Sequence, residues 1–80
     1  MSGGYSLRIQ EANAKASKHK LGVRLGRLCI AQDIPVSVVA KCTGVTRQTV
    51  YNWFCGTSVP QGTATALIAS YMASLESSTS

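Results

Sequence analysis

The sequence predicts an all-α fold, a compact bundle of four to five short helices containing a helix-turn-helix, and three observations carry that prediction. Apolar residues recur at helical spacing from Leu21 onward, and no segment alternates with a two-residue period. Glycine, proline and threonine fall where such helices would start and stop. The chain has 80 residues, which makes one small domain near the size where a single core is marginal. Its composition, 45% hydrophobic with 14% charged residues, is that of a globular chain rather than a disordered one.

Each element follows from local chemistry. Met1 to Tyr5 carries small residues and two glycines without caps and is expected to be disordered. The stretch SLRIQEANAKASKHK is helix-compatible, but Leu7, Ile9, Ala12, Ala14 and Ala16 make a thin apolar face. Residues 1–19 are therefore expected as a basic arm or a frayed helix. From Lys20 the pattern strengthens: Leu21, Leu25, Leu28 and Cys29 share one face of a helix ending near Gln32. Gly22 and Gly26 each cost about 1 kcal/mol there relative to alanine, which implies a closely approaching neighbour or a weak helix. Pro35 biases Ile34 away from helical angles and ends that element. A short helix follows over 36–42, with Val36, Val39 and Ala40 facing inward, and Gly44 closes it in the left-handed conformation. Thr46 is suited to cap the next helix, Arg47 to about Cys55, which Gly56 ends. TSVPQG is a loop, and a last helix from Thr63 carries Leu67, Ile68, Tyr71, Met72 and Leu75 as its apolar stripe. The domain is placed over 20–75, with 76–80 a disordered tail.

Charge and chemistry narrow the function. Formal net charge is +5, and all eight Lys and Arg residues lie at or before Arg47, so the N-terminal half is basic. That is the electrostatic footprint of a nucleic-acid backbone, or of a basic soluble surface. One histidine and three acids, with no nucleophile beside a base, point away from an enzyme. Cys29, Cys42 and Cys55 are widely spaced without a CxxC, so no metal and no cofactor is expected, and the thiols read as buried or half-buried and reduced. No run suits a membrane span or an export signal, so the expected location is the cytoplasm (the host's, if the chain is phage-encoded).

The stretch AKCTGVTRQTVYNWFCG concentrates the functional signal. Ala40, Gly44, Val45, Val50 and Trp53 have the spacing of a helix-turn-helix: a small residue at the crossing, a glycine turn, an apolar plug and two anchors. Trp53 is read as a core anchor rather than a base-stacking residue. The opposite face of the second helix is then left to point outward.

With VVAKCTGVTRQTVYNWFCG followed by VP and ATALIASYMASL, the chain resembles the lambda-repressor-like (Cro/repressor) helix-turn-helix family over Leu21 to Leu75. The resemblance implies a bundle of about five helices, the motif being the family's second and third. It further implies a phage- or bacterium-type transcriptional regulator, acting as a homodimer on palindromic double-stranded DNA. Arg47, Gln48 and Asn52 match the outward positions of its recognition helix. Arginine suits guanine, and Gln or Asn suits adenine. Thr49 is expected on a thymine methyl or a phosphate, completing the base-contact set. Arg24, Arg27, Ser37, Lys41, Tyr51 (expected exposed) and Ser58 are candidates for the DNA backbone. Tyr71, Met72 and Leu75 are candidates for a dimer interface, with Leu67 and Ile68 kept for the core. The chain departs from the family at the start of the first motif helix, which carries Val36 with Ser37 beside it, and in lacking a late acid in the second. Two other readings stay open: an interaction protein that keeps the fold for a protein partner, such as a phage structural or adaptor component or a host-polymerase modulator, and a small DNA-packaging subunit.

Overall fold

Five helices follow one another in the computed structural model, which describes residues 5–78: α1 Leu7–Lys15, α2 Leu21–Gln32, α3 Val36–Thr43, α4 Arg47–Cys55 and α5 Thr63–Ser78. Among the described residues there is no strand, so the all-α expectation holds. The radius of gyration, 11.4 Å, is close to the roughly 11.6 Å that a tightly packed chain of this length would have. No helix among the described residues is long and apolar enough to cross a membrane.

The helix boundaries follow the caps. Ser6 accepts a hydrogen bond from the Ile9 N–H, starting α1, and Thr46 accepts one from the Thr49 N–H, starting α4. Asp33 ends α2 in the left-handed conformation at φ 60°, a state that a short polar side chain tolerates. Gly44 ends α3 at φ 75°, and its N–H and that of Val45 both donate to the Ala40 carbonyl.

The glycines of α2 resolve as close approach rather than helix weakness. A Cβ on Gly22 would stand 2.7 Å from Trp53 Cβ and 2.9 Å from the Trp53 carbonyl oxygen. One on Gly26 would stand 2.6 Å from Asn13 Nδ2 and 2.8 Å from Phe54 Cγ. The backbones of α2 and α4 thus meet where no side chain intervenes, and α4 lies deep in the bundle. Its Val50, Trp53 and Phe54 are buried together with Leu25 and Cys29 of α2, Val39 and Ala40 of α3, and Ile68 and Met72 of α5. Full burial of apolar side chains of this size contributes about 1.5–3 kcal/mol each.

The N-terminal segment departs most from expectation. The arm or frayed helix expected over residues 1–19 is, over Leu7–Lys15, a docked helix, with Tyr5 ahead of it packed into the core. Tyr5 is buried, its ring centroid 6.0 Å from that of Phe54, and its hydroxyl donates to the Ile34 carbonyl. Asn13 is only 3% exposed, and its Nδ2 donates to the carbonyls of Val23 (3.1 Å) and Phe54 (2.8 Å), tying α1 to α2 and α4 at once. The thin apolar face of α1 suffices because this amide and Tyr5 complete it. At the other end α5 reaches Ser78, so residues 76–78 of the expected tail are helical. Residues 1–4 and 79–80, also expected to be disordered, lie outside the described residues.

Two side chains of α5 exchange the places expected for them. Met72 is 4% exposed and belongs to the core rather than to a dimer interface, whereas Leu67, expected inside, is 42% exposed. The buried face of α5 centres on Ile68 and Met72, one turn apart, and that phase carries Leu67 to the rim. Of the thiols, Cys29 is buried and Cys55 half-buried, while Cys42 is exposed, against expectation.

Candidate nucleic-acid interface

The outward side of α4 is built by what its inward side does. With Val50, Trp53 and Phe54 fixed inside, helical spacing turns Arg47 and Gln48 outward, and both are exposed. Asn52 lies one turn beyond Gln48, and the Gln48 Nε2 donates to its Oδ1 at 3.2 Å. The two amides therefore present a joined pair on one face. Thr49 is half-buried, and its hydroxyl lies 3.0 Å from that of Thr46, so it reinforces the helix start as well as flanking this face.

The turn before α4 opens a groove of about 600 Å³ between α3 and the start of α4, whose walls include Ser37, Val38, Lys41, Val45 and Arg47. Three expected contacts are thereby brought together: Ser37 and Lys41 from α3 line the same groove as Arg47. Val38, 42% exposed on that wall, was not legible as part of it from the sequence. Beyond the other end of α4, the Asn52 carbonyl accepts from the Thr57 N–H (3.0 Å), the Ser58 N–H (3.4 Å) and the Thr57 hydroxyl (3.1 Å). These bonds fold the loop back and hold Ser58 beside the last turn.

The remaining expected contacts divide. Arg24 is exposed on α2. Arg27 is half-buried, and its Nη2 donates to the carbonyls of Asn13, Ala14 and Ala16 at 3.2–3.5 Å. It closes the C-terminal end of α1, so this amino group of its guanidinium is engaged within the domain. Tyr51, expected exposed, is half-buried and packs against the core. On α5, Tyr71 and Leu75 are half-buried. Burial raises the Tyr71 phenol above its ordinary value, with the neighbouring Cys29 and Cys42 thiols adding to the shift.

One basic residue, Lys20, gains a definite position only in three dimensions. Lys20 Nζ donates to the Gly56 carbonyl at 2.9 Å, and a Cβ on Gly56 would stand 3.1 Å from Ala16 Cβ. The turn between α1 and α2 is thus seated on the C-terminal end of α4, a proximity across 36 residues of sequence that no local pattern announces. Among the described residues no cluster of three or more His, Cys, Asp or Glu side chains is arranged to hold a metal ion.

No family model, curated protein or solved structure matches the chain.

Proposed function

We propose that the protein binds double-stranded DNA sequence-specifically, laying the outward face of α4 in the major groove as the second helix of a helix-turn-helix, and acts as a small transcriptional regulator in the cytoplasm. The observation that carries this reading is the combination on α4: a fully buried apolar face backing exposed Arg47 and the joined Gln48–Asn52 amides. Arginine offers a bidentate donor pair to guanine, and an amide offers one donor and one acceptor to adenine. Ser37 and Lys41 line the same groove as Arg47, and in this reading they take phosphates and fix register without reading sequence. Such a contact set spans only a few base pairs. We therefore include pairing of two copies through α5, with Tyr71 and Leu75 at the contact, which would set two α4 helices roughly 34 Å apart on DNA.

Selection from random duplex DNA at a stated salt concentration tests the proposal. The expected result is an enriched motif; Arg47→Ala should lose about 1–3 kcal/mol on it and relax one base position. Absence of enrichment, or Arg47→Ala and Gln48→Ala variants with unchanged affinity and preference, overturns it. Sedimentation at micromolar concentration addresses the pairing: a monomer with and without DNA removes the dimer.

A further inference from the structure

We propose that the end of α1 and the turn that follows it, carrying Lys15, Lys18 and Lys20, form a second anchor for the phosphate backbone of the same duplex, at the opposite end of α4 from Lys41 and Arg47. The inference rests on the reading of α4 as the DNA-facing helix. Lys15, Lys18 and Lys20 are all exposed. The backbone that carries them is tied to the end of α4 by the Lys20–Gly56 hydrogen bond and the close approach of Ala16 to Gly56. Ser58 is held beside the same end through the Asn52 carbonyl.

Dimensions and charge both favour this anchor. Nine residues make α4 roughly 13 Å long, and the major groove of B-DNA is about 12 Å wide. At that length, basic side chains at the two ends of α4 are within reach of the phosphate strands that flank one groove. Three lysines stand in this stretch of chain, and Asp33 caps the far end of α2. Glu11, one turn before Lys15, is the acid that offsets their charge in part. Among these lysines, Lys20 also holds the end of α4, so Lys15 and Lys18 are the ones whose charge can be removed without touching the fold.

The test is the salt dependence of DNA affinity for the whole chain on its selected site. For Lys15→Gln with Lys18→Gln, the slope of log affinity against log salt should become shallower by about 1.8, the value for two lost phosphate contacts. Base preference and melting temperature should stay those of the parent. Arg8→Gln, which removes one charge at the far end of α1, should leave the slope unchanged. Restoring charge with Lys15→Arg and Lys18→Arg should restore the slope. An unchanged slope in the Gln variant, while Arg47→Ala still alters preference, overturns this inference and leaves the function standing. An equal effect from Arg8→Gln overturns it in favour of net charge alone. A parent chain that shows no salt-dependent DNA binding overturns both.

Discussion

Replacing Gly26 by alanine sets two physical effects against each other, and the structure says which wins. Helix propensity alone favours the alanine by about 0.8–1 kcal/mol. Against this, the new Cβ would lie 2.6 Å from Asn13 Nδ2, 2.8 Å from Phe54 Cγ and 3.0 Å from Phe54 Cβ. Asn13 can withdraw only by giving up its bonds to the Val23 and Phe54 carbonyls, a net loss of about 1 kcal/mol each. Phe54 is fully buried, and forcing it or the backbone aside costs about 1–3 kcal/mol. The balance is a destabilisation of about 2–4 kcal/mol, or roughly 10–30 °C in melting temperature for a domain of this size. Thermal melts followed by circular dichroism, with urea denaturation alongside, measure it. In an Asn13→Ala background the nearest obstacle is gone and the penalty of Gly26→Ala should shrink, a coupling that a double-mutant cycle reads directly. A Gly26→Ala variant melting at or above the parent would refute the close crossing of α2 and α4.

Three further outcomes follow from the same structure. Gly44→Val should cost more than about 1 kcal/mol through backbone strain at φ 75°, since no atom lies within 4 Å of its would-be Cβ, and Gly44→Asn should be milder; equal melts for Val and Gly would mean the turn is absent. Burial pushes the Cys29 thiol from 9.0 up to about 12 and raises the Tyr5 phenol above 10.0; both groups stay protonated longer in the folded state, so stability should be intact below pH 9 and fall progressively from there toward pH 12. Cys29→Ala should flatten that fall, and melts showing no decline across this range would contradict it. Met72→Glu should abolish the cooperative melt while Tyr71→Glu preserves it, because Met72 is in the core and Tyr71 only half-buried; a folded Met72→Glu protein would place that side chain outside.

Much of α2 to α5 was legible because local signals agree with the packing. Gly44, Thr46 and Gly56 each bound a helix as their chemistry requires, and the turn they frame sets which side chains of α4 point outward. What escaped is of a different kind. Five apolar candidates on α5 fit more than one rotation of the helix, so sequence alone could not tell Leu67 from Met72. Docking of α1 depends on one amide that finds carbonyls of residues 10 and 41 positions away, and a polar side chain in a thin amphipathic stretch gives no sign of such partners. The seat of Arg27 escaped for the same reason: the last carbonyls of α1, which its Nη2 meets, become neighbours only once α1 turns back along α2.

Two bonds at the end of α4 make its stability depend on a distant part of the chain. A helix leaves its last carbonyls without internal partners, and here those of Phe54 and Gly56 are taken by Asn13 and Lys20 from the opposite part of the chain. With nine residues, α4 is shorter than the roughly 12–15 at which isolated helices become even marginally stable in water. Its last turn is therefore completed in part from outside, by a segment far earlier in the sequence. The segment from Asn13 to Lys20 thus supports the end of the outward-facing helix, so a lesion there reaches that helix without touching any residue on its exposed face.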